Sequence, residues 1–228
     1  MPPRSAHRPP ALLRAAVLAA LLVALAGCAG GATFAPDGPC LADGRAPGSY
    51  PALETLLPTT LGGVAPATVD SGRDCSDGAL GALRAHDVRE LRFAGAVWDQ
   101  GDGRGATIAV LALPGGALDI RWAEEFYEAG ARVARRTERI ETSRVMFGAL
   151  GPVFRLDTLN DLSVQTVVVV PAGDVARVVL VATPVSLSTS QADHEARVQA
   201  AVAALFGAPG VTAGPFSLPT AGPSASTP

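Results

Sequence analysis

The chain has no lysine; all 18 of its basic side chains are arginine, and aromatic residues make up only 5 % of its 228 positions. With a formal net charge of −3, it offers no general attraction to nucleic acid. It also lacks the basic, aromatic-rich groove on which single strands stack. Histidine is confined to His7, His86 and His194, and cysteine to Cys28, Cys40 and Cys75. Without a His-Glu-x-x-His pair or clustered cysteines, the usual zinc ligand set is missing, and no metal or cofactor is expected. Gly-x-Ser-x-Gly is absent as well, so the strained turn that exposes a hydrolase serine is not encoded in that form. The glycine-rich stretch Asp99–Gly105 lacks the following Lys-Ser/Thr of a phosphate loop and the acidic spacing and terminal glutamate of an EF-hand. It reads as a hairpin loop.

The N-terminus is where the sequence is most specific. Arg4, Arg8 and Arg14 are followed by an apolar run from Ala15 to Ala26, and the run closes on Leu25-Ala26-Gly27-Cys28. A membrane span needs roughly 20 apolar residues. This run is shorter, and small residues rather than a charged stop-transfer flank follow it. The arrangement resembles the signal peptide and lipobox of bacterial lipoproteins. The resemblance covers the first 28 residues and implies cleavage after Gly27 and transfer of diacylglycerol to the Cys28 thiol. Lipoprotein maturation enzymes and membrane lipid are then the implied partners, with the chain anchored on the extracytoplasmic face of the cell membrane. The remainder is similar to small uncharacterised actinobacterial lipoproteins, without a motif that transfers an activity. Its all-arginine, Ala/Gly/Pro/Val-rich composition fits the coding bias of a high-GC bacterium.

On this reading residues 1–27 are the signal, 28–39 the lipidated N-terminus and a short tether, 40–217 a single domain, and 218–228 a Pro/Ser/Thr-rich tail without periodicity. Removing Arg4, Arg8 and Arg14 takes the formal charge to about −6. With Cys28 assigned to lipid, Cys40 and Cys75 form an even pair in an oxidising compartment, for which a disulfide is expected.

Within the domain, the periodicity implies short helices near Pro51–Leu57 and Ser76–Leu83. Alternating strands follow at Val88–Trp98 and Thr107–Leu113. A helix then carries Leu118, Trp122, Phe126, Ala129 and Val133 as its buried stripe. Strands are expected over Thr142–Phe147, Val153–Leu159, Ser163–Val170 and Val175–Ala182. Asn160-Asp161 and Pro171–Asp174 are the turns between the last three. A final helix starts near Ser190, buries Val198, Val202 and either Leu205 or Phe206, and ends at Gly207 before Pro209. The fold class is α+β: a mainly antiparallel sheet of about six strands with helices packed against it.

Chemistry is less legible. Asp157, Asn160, Asp161, Asp174 and Arg177 border consecutive strands and form a candidate binding rim, although turn chemistry accounts for most of them. Arg132, Arg135, Arg136 and Arg139 cluster near a helix C-terminus, where positive charge is favourable; lipid anchoring makes them a candidate contact for anionic surfaces. Glu124, Glu125 and Glu128 are expected to solvate the outer helix face, His86 to occupy a turn, and His194 to be exposed. The expected function is noncatalytic: binding an envelope lipid, peptide or glycan in a groove between helix and sheet, or structural assembly with an envelope protein. The alternative is a lipid-anchored hydrolase acting on an envelope substrate.

Overall fold

The computed structural model describes residues 33–134, 136–147, 150–186 and 191–206. The elements are β1 (Gly44–Ala46), α1 (Pro51–Glu54), β2 (Thr68–Asp74) and α2 (Asp77–Leu80), which runs into a 3-10 helix (Gly81–His86). They continue with β3 (Leu91–Asp99), β4 (Gly105–Ala112), α3 (Ile120–Val133), β5 (Thr137–Met146), β6 (Pro152–Asn160), β7 (Ser163–Ala172), β8 (Val175–Pro184) and α4 (Gln191–Ala204). The eight strands form one sheet in the order β1-β2-β3-β4-β8-β7-β6-β5. Every pairing is antiparallel. Two four-stranded meanders, each in sequence order, meet at the β4–β8 seam.

Helices cover both faces. On one face α2, the 3-10 helix and α3 pack over Leu91, Leu111, Leu156, Val167, Val169 and Val178. On the other, α4 and the segment around Leu57 pack over Ala96, Ile108, Val110, Val168, Val179 and Val181. Residues 167–170 divide alternately between these two cores because successive strand side chains point to opposite faces. Burial on both faces is why the central strands read as near-continuous valine runs.

The α+β class and antiparallel sheet expected from the sequence are both present, and the sheet is wider by β1 and β2. Those strands are poor in apolar residues. Ser71 and Arg73 of β2 are nonetheless buried, held by polar contacts instead of packing. Tyr50 N donates to Ser71 Oγ over 2.6 Å, and Ser71 Oγ donates to Glu54 Oε1 over 2.8 Å. Arg73 lies inside a cage of carbonyls from Ala35, Pro36, Gly38 and Pro39. Residues assigned to the tether on sequence therefore wrap the domain from Ala35 onward. Beside them Cys40 and Cys75 are disulfide-bonded, with Cα atoms 5.5 Å apart. Asp43 accepts from the amides of Cys75 and Ser76, and Ser76 caps α2 through Ala79 N. The Ser76 hydroxyl and these amides hold the Asp43 carboxyl below its usual range against a partial desolvation effect.

The long helix keeps the N-terminal part of its expected stripe, with Leu118, Trp122 and Phe126 packed in the core on its side of the sheet. Asp119 caps α3 through Arg121 N, so Leu118 lies just before the helix, and Ala123, Tyr127 and Ala131 share the packed face. Val133, placed on the stripe by its spacing, is 83 % exposed. The helix stops there, and β5 begins at Thr137 rather than Thr142. The exposed burial pattern of β5 explains the late assignment: an edge strand rich in charge shows little alternation.

Candidate functional site

Between α3 and the sheet lies a cleft of about 550 Å³, within the range of small-molecule sites. Its walls are made of small residues: Gly78, Ala79, Gly81 and Ala82 on one side, and Ala129, Gly130 and Ala131 of α3 with Ala134 just past its end on the other. The missing side-chain volume creates the cleft. A Cβ placed on Gly78 or Gly130 would meet nothing within 4 Å. Phe126, Tyr127 and Val133 complete the upper wall.

The floor follows from strand register. Leu156 of β6 pairs with Val167 of β7, and Val167 with Leu180 of β8, giving an apolar row across three strands. Two residues along, Thr158 pairs with Gln165, and beyond it Thr137 pairs with Asn160. All of these residues line the cleft. The floor therefore runs from apolar to polar toward the β6–β7 turn. Among the described lining residues none carries a charged side chain. Desolvation, with a smaller contribution from Asp74, pushes the Tyr127 phenol up to about 12, so it stays neutral.

The opposite face of the sheet holds a buried polar chain. His194, expected to be exposed, is 6 % exposed, because the first turn of α4 lies against the sheet. Its Nε2 is 2.8 Å from Thr166 Oγ1 and its Nδ1 is 2.9 Å from Thr183 Oγ1. Thr166 Oγ1 donates to Asp157 Oδ1 over 2.5 Å. A hydroxyl has one proton, so Thr166 must accept from His194; this assigns the Nε2–H tautomer and leaves Nδ1 to accept from Thr183. Arg155 grips Asp157 with Nε and Nη2 and reaches Glu195 of α4 with Nη1 at 2.8 Å. The arrangement has the residue types of a nucleophile–base–acid relay. Both threonines, however, are buried to 3 % exposure or less and both imidazole nitrogens are occupied, so the group is a latch between α4 and the sheet.

Burial pushes the His194 imidazole down, opposed by Asp157 and reinforced by Arg155. Its folded value thus lies below the unfolded value of about 6.5. The unfolded chain takes up the proton first as pH falls, so the His194 contribution is complete above that value and is lost below it. The melting temperature should fall between about pH 7.5 and 5.5, and fall less in His194→Gln. Identical pH dependences would contradict this assignment.

The residues of the candidate rim are not brought together. Asp157 belongs to the latch. Asn160 Oδ1 accepts from Leu162 N and Ser163 N, shaping the β6–β7 turn, and Asp161 pairs with Arg136 at 3.2 Å. Asp174 lies in the β7–β8 turn, at the opposite end of the antiparallel strands. Arg177 is buried, donating to Leu205 O over 3.1 Å. Only Asn160 of the five lines the cleft.

The arginine cluster is spread over a helix end, a left-handed turn residue and an edge strand. Arg132 pairs with Glu128 at 2.5 Å and Arg139 with Glu141 at 3.3 Å. Arg136 has φ of 67°, and Arg135 lies outside the described residues, as does Cys28. Glu124 is not a solvating side chain: it is 7 % exposed, holds Arg144 through two bonds of 2.7 and 2.5 Å, and ties α3 to β5. His86 closes the 3-10 helix, 2.6 Å from Glu125 and stacked on Trp122.

A groove between helix and sheet is expected from the sequence, but its lining is not legible there, because its makers are alanines and glycines, which carry no chemical signal until the fold sets them opposite one another. The run Ala129-Gly130-Ala131 was the available hint, since a glycine inside a helix costs about 1 kcal/mol relative to alanine. Comparison with protein-family models, curated proteins and solved structures gives no match for this chain.

Proposed function

We propose that this chain is a noncatalytic ligand-binding module, lipid-anchored on the extracytoplasmic face of the cell membrane, with the α3–sheet cleft as its binding site. The cleft is the observation that carries the reading. It is concave, mainly apolar and graded in polarity, as sites for small amphiphiles are. The Cys40–Cys75 disulfide supports an oxidising compartment, and the Leu25–Cys28 motif supports the anchor. From a lipidated Cys28, the six-residue reach to Phe34 spans about 20 Å at most, which would keep the domain close to the lipid surface.

Gly130→Leu separates function from stability. The position is exposed, helical and open around its Cβ, so leucine should leave stability unchanged or raise it by up to about 1 kcal/mol while filling the cleft. An apolar fluorescent probe should bind the native chain and lose at least about tenfold in affinity to the variant. Equal binding to both would place the site elsewhere. For the anchor, globomycin should cause an uncleaved precursor to accumulate, and Cys28→Ser should release the chain from membranes; unchanged processing and retention would contradict lipidation.

A further inference from the structure

The two ends of the cleft floor differ in what they offer a ligand. Leu156, Val167 and Leu180 form a row with no polar side-chain atom, and Thr137, Thr158, Asn160 and Gln165 form the two rows beyond it. Much of the hydrogen-bonding capacity of these four is already used, and what is left is specific. Asn160 Oδ1 accepts from Leu162 N, Ser163 N and Ser163 Oγ, which leaves the two amide protons on Nδ2 without a partner among the described residues. Gln165 Nε2 donates to Ser163 Oγ over 3.0 Å, leaving Oε1 as an acceptor. Thr137 Oγ1 donates to Ala134 O over 3.2 Å and retains its lone pairs. Thr158 supplies a hydroxyl that can do either. The polar end thus presents both donors and acceptors, all uncharged.

Charged heads fit this end poorly. An ammonium or carboxylate moved into the cleft would lose water without gaining a counter-charge from the described lining residues, and uncompensated desolvation of an ion is costly. The polar end also lies beside the C-terminus of α3, where the helix dipole is negative and disfavours an anion. Arg136 and Asp161, which adjoin Thr137 and Asn160 in the chain, are already paired.

Resting on the reading of the cleft as a binding site, we infer that it takes an uncharged single-chain amphiphile, with the chain over Leu156, Val167 and Leu180 and a hydroxyl or amide head among Thr137, Thr158, Asn160 and Gln165. The class includes monoacylglycerols and fatty amides and excludes free fatty acids and alkylammonium ions.

The test is native mass spectrometry of the full lipidated chain in amphipol, titrated below their micellar concentrations with a monoacylglycerol, a fatty acid and an alkylammonium ion of one chain length. The monoacylglycerol should bind at least about tenfold more tightly than either ion. Gln165→Leu combined with Thr158→Val should reduce that affinity about tenfold and leave fatty-acid binding unchanged. Gln165→Glu, which keeps the side-chain shape, should move the preference toward alkylammonium. A fatty acid or ammonium ion binding as tightly as the neutral probe, or a ranking unaltered by Gln165→Glu, would overturn the head-group assignment and leave the cleft as a site. Binding of none of the three would overturn both.

Discussion

Replacing Arg73 by methionine should lower the unfolding free energy by about 3 to 5 kcal/mol, the size of effect that follows when one partner of a buried charged network is removed. The side chain is 1 % exposed and its two terminal nitrogens do the work of a small core. Nη2 donates to Ala35 O and Pro39 O, both over 2.8 Å, and Nη1 donates to Gly38 O over 2.7 Å, with Pro36 O at 3.5 Å. The Phe34 ring sits 5.8 Å from the guanidinium carbon, and Glu90 supplies a counter-charge at 3.9 Å. Methionine fills most of the volume and leaves those carbonyls buried without donors. Arg73→Lys should fail almost as badly, since a compact ammonium cannot reproduce the planar fork. Denaturant unfolding gives the magnitude, and hydrogen exchange should show the loss concentrated in Phe34–Leu41. A methionine variant with native stability would mean that the carbonyl cage contributes nothing net.

The second large effect is at the disulfide. Cys40 and Cys75 are 35 residues apart, and closing a loop of that size stabilises a fold by about 3 to 4 kcal/mol in the chain-entropy model. The Cys40→Ser/Cys75→Ser variant should lose that amount, read from the unfolding free energy extrapolated to water, with a steeper denaturant slope because the uncrosslinked unfolded chain exposes more surface. Arg73 and the disulfide restrain the same stretch of chain, so their losses should not add. Once the bridge is gone the cage has less ordered structure to hold, and the combined variant should fall short of the summed losses by at least about 0.5 kcal/mol. Strict additivity would show that the two restraints act on separate units.

Where apolar periodicity drives assembly, the sequence was readable. The valine runs of β7 and β8 stand where their spacing puts them, as do Val198 and Val202 of α4 with Leu205 just past its end. The two turns fall close to their expected places, with Asn160 closing β6 and Pro171 and Ala172 extending β7 beyond the expected strand end. Ser190, expected to cap that last helix, lies outside the described residues. Assembly through polar contacts left less trace. In β2 the strand Thr68–Asp74 is stabilised by an arginine gripping carbonyls more than 30 residues upstream and by a serine bonded to α1. No local pattern announces either contact. His194 illustrates the same limit: a histidine in a first helical turn is ordinarily solvated, and only the tertiary position of Thr166 and Thr183 makes it a buried crosslink. Glu124 and Arg144 belong together for the same reason. The lining of the cleft was hidden more deeply still, because it is defined by side-chain volume that is absent, at Gly78, Gly81, Ala129 and Gly130, on segments that meet only in the folded chain. Of the candidate rim, Asn160, Asp161 and Asp174 stand at strand ends, whereas Asp157 and Arg177 lie within β6 and β8; antiparallel strands have two ends, and the rim residues are distributed between them and between both sheet faces.

The measurement that bears most directly on ligand binding is native mass spectrometry of the lipoprotein gently extracted from its own membrane, comparing the native chain with Gly130→Leu. The native chain should carry, beyond any covalent anchor, a reproducible retained mass that dissociates as a neutral amphiphile, and Gly130→Leu should emerge without it. A native chain with no retained mass, or the same cargo on both proteins, would contradict a binding site between α3 and the sheet.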